Sequence, residues 1–171
     1  TKDKNTLQFA EKMMGKVFYL FEKNGMNCNR YYPKIKYKMP MSESLSGMYI
    51  ELLVDLFKMT DNDKYLEKSN FMAKKWIGSN FFQKYSIFPE GVYLNKYYTM
   101  LRSKKYSMKP TQNAYLTKYN STLVAGILAL YQLTEDEILK KSMEKWNDGI
   151  QMFFQDEKGG LYNNVEIIDS K

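Results

Sequence analysis

Histidine is absent from this chain of 171 residues, and cysteine occurs once, as Cys28. A lone cysteine excludes an internal disulfide, and without imidazole or a second thiol a zinc or transition-metal site is disfavoured. Oxygen-ligand cation sites stay open. No cofactor is implied, and any acid–base chemistry has to be run by carboxylates, tyrosines or amines. No apolar run approaches the roughly 18 residues that a membrane-spanning helix needs, so no membrane partner is read. No targeting segment is read at Thr1, and the compartment stays open. Acidic residues are missing from two long stretches, between Glu22 and Glu43 and between Glu90 and Glu135.

What is present is ample core material: 44% of the residues are apolar and 16% aromatic. The length suits one domain better than two. Apolar residues recur at three and four through Leu7, Ala10, Met13, Met14, Val17, Phe18 and Phe21, which predicts an amphipathic helix over 6–23 ending at Asn24-Gly25. Two later stretches carry one pattern twice. Phe57-Lys-Met-Thr-Asp-Asn-Asp and Tyr131-Gln-Leu-Thr-Glu-Asp-Glu each close an apolar helix and open an amphipathic one, with a Thr-and-acid turn between them. Thr60 with Asp63 and Thr134 with Glu137 have capping-box spacing. The helices at 43–59 and 120–133 are apolar nearly all round and are predicted to be internal, whereas those at 62–80 and 135–155 carry a single apolar stripe and are predicted to be external. Both external helices lead into Gly-aromatic segments, Pro89-Glu-Gly-Val-Tyr93 and Lys158-Gly-Gly-Leu-Tyr162. The expectation is an all-α domain over 1–171, an α/α-hairpin array of about two and a half hairpins with short β-like segments.

The motifs Leu133-Thr-Glu-Asp-Glu-Ile-Leu139 and Phe154-Gln-Asp-Glu-Lys-Gly-Gly-Leu-Tyr162 resemble those of the six-hairpin carbohydrate-active superfamily, the (α/α) toroids that include N-acylglucosamine 2-epimerases, glucuronyl C5-epimerases, glycosidases and polysaccharide lyases. The resemblance covers about Met41 to Asn164 and implies a toroid-type fold, of which this chain would be a half or a fragment, or else an open helical array built from the same hairpin. The 2-epimerase-like members use catalytic histidines, which this chain lacks, and the aspartate pair of some glycosidases is missing too. Both activities are therefore disfavoured. Tandem helical repeats of about 34 residues are a further alternative, although the two copies here are spaced at roughly twice that.

The acid-free stretches carry Lys23, Arg30, Lys34, Lys36 and Lys38 in the first and Lys96, Arg102, Lys104, Lys105, Lys109 and Lys118 in the second, eleven cations against a net charge of +7. Each stretch links an external helix to the next internal one, so an up-down array gathers both onto the end where the internal helices begin, beside their positive dipole ends. The same segments hold Tyr31, Tyr32, Tyr37, Tyr93, Tyr97, Tyr98, Tyr106, Tyr115 and Tyr119. Aromatic faces stack on sugar rings, and Lys and Arg neutralise carboxylates, which suits an acidic polysaccharide or oligosaccharide, with nucleic acid disfavoured. Solvated loops of a Tyr- and Lys-rich chain account for the same composition.

The substrate-binding set expected on this face is Tyr31, Tyr32, Lys38, Tyr93, Asn95, Lys96, Arg102, Lys118, Asn120 and Tyr162. If the chain is an enzyme, proton transfer next to a uronate carboxylate would fall to Tyr115 or Tyr119, a pair whose placement before the internal helix is similar to that of the tyrosine loop of glucuronyl C5-epimerases. Glu43 and Glu90 would serve as second proton donor or as a hydrolytic pair. Asn120-Ser121-Thr122 fits a glycosylation acceptor, while its place at a helix start predicts an N-cap. A non-catalytic glycan-binding module, and a module docking a second copy or another toroid half, are the alternatives. An exposed apolar flank on the internal helices would favour docking.

Overall fold

The computed structural model describes residues 3–28, 30–38, 41–43, 46–93, 111–116 and 120–168. Among the described residues there are six helices and eight short strands, and no helix is long and apolar enough to cross a membrane. The architecture is all-α, an array of α/α hairpins tied at one end by small antiparallel strand pairs.

Helix α1 (Lys4–Phe21) starts at Asp3, whose carboxylate accepts from the Asn5 amide at 3.0 Å. It ends in a two-residue hairpin, β1 (Glu22–Lys23) to β2 (Met26–Asn27), turned by Asn24 at φ 53° and Gly25 at φ 77°. Both positive angles match the Asn-Gly preference of that turn. A second hairpin follows, β3 (Tyr31–Tyr32), one 3-10 turn (Pro33–Ile35) and β4 (Tyr37–Lys38). Strand β5 (Met41–Glu43) leads to helix α2 (Ser46–Thr60), then α3 (Asp63–Ile77), the short α4 (Asn80–Tyr85) and β6 (Gly91–Tyr93). The second unit repeats the order: β7 (Thr111–Tyr115), α5 (Ser121–Thr134), α6 (Glu137–Phe154) and β8 (Asn164–Ile168).

The two helical turns are built alike, with capping shifted from its expected place. Thr60 and Thr134 are the last residues of α2 and α5, and their hydroxyls donate back to Leu56 O at 2.7 Å and Leu130 O at 2.9 Å. Asp61 and Glu135 take the left-handed conformation, φ 56° and 52°. The next residues then cap the outgoing helices: Asn62 accepts from the Lys64 amide at 3.3 Å, and Asp136 from the Ile138 amide at 2.8 Å. The capping boxes read at Thr60 and Thr134 are thus corrected. A threonine cannot both end one helix and cap the next when a left-handed residue has to reverse the chain between them.

Helices α2 and α5 are the inner pair and touch backbone to backbone. A Cβ on Gly47 would lie 1.9 Å from Thr122 O, and one on Gly126 would lie 2.2 Å from Gly47 O. Their neighbours Ile50, Leu53, Leu123, Ile127 and Leu130 join Tyr65, Met72 and Trp76 of α3 and Leu139 of α6 in the main core. A second core collects Phe81, Ile87, Ala114, Ile150 and Phe154. The inner helices are not surrounded as the sequence predicts: Met48 and Leu52 of α2 are 62% and 46% exposed, and Leu128 of α5 is 42% exposed.

Candidate functional site

Each unit closes on itself. Strand β5, which enters α2, pairs antiparallel with β6, which leaves the α3–α4 arm, in the register Glu43↔Gly91 and Met41↔Tyr93. Strand β7, ahead of α5, pairs with β8 behind α6, with Tyr115 opposite Asn164. Both of these strand pairs lie at the end where α2 and α5 begin, because each joins the residues before an inner helix to those after an outer one. The hairpins at 22–27 and 31–38 reach the same end. The Ser46 hydroxyl donates to Asn27 Oδ1 at 2.7 Å, and the Lys38 ammonium donates to Glu22 O at 2.8 Å.

Several expected site residues meet on this end. The register sets Glu43 beside Gly91, so the backbones of Glu43 and Glu90 are neighbours across one strand pair. Tyr93 and Tyr115 are placed by the same registers, at the ends of β6 and β7. Asn95, Lys96, Arg102, Lys118 and Tyr119 lie outside the described residues. Tyr162 is exposed, and its amide donates to Phe154 O at 2.7 Å. It closes a turn in which Asp156 Oδ1 accepts from the amides of Lys158 and Gly160 at 2.9 and 2.7 Å, so the acid of the Phe154–Tyr162 motif has a structural job.

Asn120 does not cap α5. Its own backbone is helical and its side chain is fully buried, with Oδ1 accepting from Phe88 N at 2.7 Å and Trp146 Nε1 at 3.1 Å, while Nδ2 donates to Phe88 O at 2.9 Å. The carboxamide satisfies both polar groups of one backbone residue 32 positions away and one indole of α6. The N-cap expectation is corrected: with Phe88 O, Phe88 N and Trp146 on offer, a buried amide satisfies more donors and acceptors there than at a helix end.

The best-defined part of the face is the hairpin at 30–38. Tyr32 stands opposite Tyr37, and their rings lie 6.1 Å apart at 37°, each about 40% exposed. Tyr31 packs edge-on against Phe21 at 6.2 Å, and Lys38 binds the end of α1 and approaches the Tyr19 ring at 5.9 Å, so the hairpin is anchored from one side and open on the other. Arg30, Lys34 and Lys36 are exposed around the ring pair. Tyr37 was not in the expected binding set. The signal was the spacing Tyr32-Pro33…Tyr37, in which a proline-started turn folds the two tyrosines into cross-strand contact.

Elsewhere burial pushes the phenol of Tyr49 well above its ordinary value, with Glu22 adding to the effect, and burial also raises Tyr65. Both pack in the core. Among the described residues no cluster of three or more His, Cys, Asp or Glu side chains could hold a metal ion.

No protein-family model matches the sequence. No curated protein matches it either. Among solved structures the chain is similar to the crystal structure of a D-mannose isomerase, at TM-score 0.45 and 14% identity, over 96% of this chain and 59% of that one.

Proposed function

We propose that the chain binds carbohydrate on the end where α2 and α5 begin, and that its ligand is an acidic, uronate-containing polysaccharide. The observation that carries this reading is the pair of open rings Tyr32 and Tyr37 on a hairpin whose charged residues are all cations. Pyranose C–H faces stack on such rings, while carboxylates take charge-assisted bonds from arginine and lysine. Single-stranded nucleic acid offers bases and phosphates to the same groups and is the competitor to be separated. In the catalytic form of this reading, epimerisation or cleavage, Tyr115 or Tyr119 acts as acid–base, Arg102 or Lys118 holds the carboxylate, and Glu43 or Glu90 is a second proton donor. In the non-catalytic form the same face only holds the glycan.

The test is affinity for a uronate-rich polysaccharide, a neutral glycan and single-stranded RNA across a salt series, in the wild type and in Tyr32→Ala/Tyr37→Ala. Uronate binding that persists in moderate salt and weakens about tenfold in the double variant supports the reading, that factor being worth about 1.4 kcal/mol. Equal and steeply salt-dependent binding to both polyanions reduces the face to charge alone, and absence of binding removes the proposal. If the polysaccharide is also altered, Tyr115→Phe or Tyr119→Phe should cost roughly 10²–10⁴ in turnover.

A further inference from the structure

A cleft of about 430 Å³ opens between the last turns of α1, the β1–β2 turn and one face of α3. Small-molecule sites fall in the range of about 300–1,000 Å³. Helix α3 supplies Lys64, Glu67, Lys68 and Phe71, which stand at i, i+3, i+4 and i+7 and so share one helix face, while Phe18 comes from α1 and Gly25 from the turn. The Phe71 ring packs on the backbone of Gly25, whose φ of 77° and close approach leave no room for a side chain. That ring is still 41% exposed. The charges of the lining divide in two. Lys68 is committed, because its ammonium pairs with Glu22 and lies 4.3 Å from the centre of the Phe18 ring. Lys64 and Glu67 are exposed, and neither makes an ion pair among the described residues, although they stand one turn apart.

We propose that this cleft binds a small zwitterion with an apolar side chain, of the free α-amino acid class, its carboxylate on Lys64, its ammonium on Glu67 and its side chain against Phe18 and Phe71. The charges select that class. With Lys68 spent on Glu22, the lining offers one cation and one anion on adjacent turns, and the two charged groups of an α-amino acid sit on one carbon, close enough together to meet both. A simple anion would leave its charge beside an unanswered Glu67 carboxylate. A simple cation would meet Lys64, and the rings give it little to bind, because ammoniums already lie over them, Lys68 over Phe18 at 4.3 Å and Lys75 over Phe71 at 5.2 Å. What the two rings leave open is apolar area, which suits an aliphatic or aromatic side chain. Tyr32 and Tyr37 do not line this cleft, so the glycan reading and this one succeed or fail separately.

Titration of the whole chain by ligand-observed NMR tests the proposal with four probes: L-phenylalanine, 3-phenylpropionate, which lacks the ammonium, phenethylamine, which lacks the carboxylate, and glycine, which lacks the side chain. L-phenylalanine should bind about fivefold or more tighter than each of the other three, the size of a partly exposed charge contact. Glu67→Gln should weaken L-phenylalanine about fivefold and leave 3-phenylpropionate no weaker, and Lys64→Met should weaken L-phenylalanine likewise and leave phenethylamine no weaker. Both positions are exposed, and an unchanged urea midpoint confirms that each variant is folded. Absence of L-phenylalanine binding to the wild type overturns the site. Any of the three analogues binding as tightly, or variants that hold L-phenylalanine like the wild type, overturns the assignment to a zwitterion.

Discussion

Asn120 shows how one side chain can be misjudged from its neighbours in sequence. A polar residue ahead of an apolar helix reads as a cap or a ligand contact, yet its amide is committed to Phe88 and Trp146. Asn120→Ala would strand a backbone N–H, a backbone C=O and an indole N–H, and each unmet buried group costs about 1–3 kcal/mol. The expected loss is therefore about 3 kcal/mol or more, read as a lowered urea midpoint with an unchanged slope. An unchanged midpoint with weakened glycan affinity would return Asn120 to the ligand set. Asp136 carries a pH dependence. Its hydrogen bond from Lys74, at 2.9 Å, and then the Ile138 amide hold its carboxyl below the ordinary 3.8. Since the unfolded chain takes up that proton first, the contribution is complete above the ordinary value and is lost as pH falls through the folded one. Asp136→Asn, which keeps a cap but not the charge, should flatten the acid limb of a stability–pH curve below about pH 4. An acid limb identical to that of the wild type would show that the pairing does not matter.

At the scale of elements, the decisive contact is the crossing of α2 and α5. Alanine in place of glycine inside an exposed helix usually stabilises by roughly 0.5–1 kcal/mol. Here the sign should reverse, because a methyl on Gly126 would sit 2.2 Å from a backbone oxygen that cannot move without its helix. Overpacking of this kind costs about 1–3 kcal/mol, and Gly126→Ala should fall at the upper end, measured by thermal or urea unfolding. A neutral or stabilised variant would mean that the helices separate freely. The helices themselves were legible: apolar spacing marked both inner and outer members, and the Thr-plus-acid turns marked the reversals. The glycine crossing was not, because Gly47 and Gly126 are 79 positions apart and look like ordinary weak points of their own helices. Capping slipped by two residues for a related reason: the left-handed Asp61 and Glu135 insert a reversal that the bare sequence pattern does not show.

For the whole molecule, the two cores are bridged by Trp146, which packs against both and is pinned by Asn120 at the junction. The hairpin units are thus coupled at the same end at which their strands pair. The gathering of the segments before α2 and α5 onto one end follows from strict alternation of outer and inner helices, which is written locally in the chain. So are the excess of cations in those segments and the absence of histidine. Periodicity, turn chemistry and charge act over a few residues, and by themselves they determined the α/α-hairpin architecture and the cation excess of the segments that precede its inner helices in sequence. Only the tertiary structure decided that Glu43 runs beside Gly91, that Tyr32 faces Tyr37, that Asn120 turns inward to Phe88, and that Met48 and Leu52 of the inner helix α2 stay exposed. Those outcomes depend on strand register and on which backbones meet, energies that exist only once distant segments are packed together.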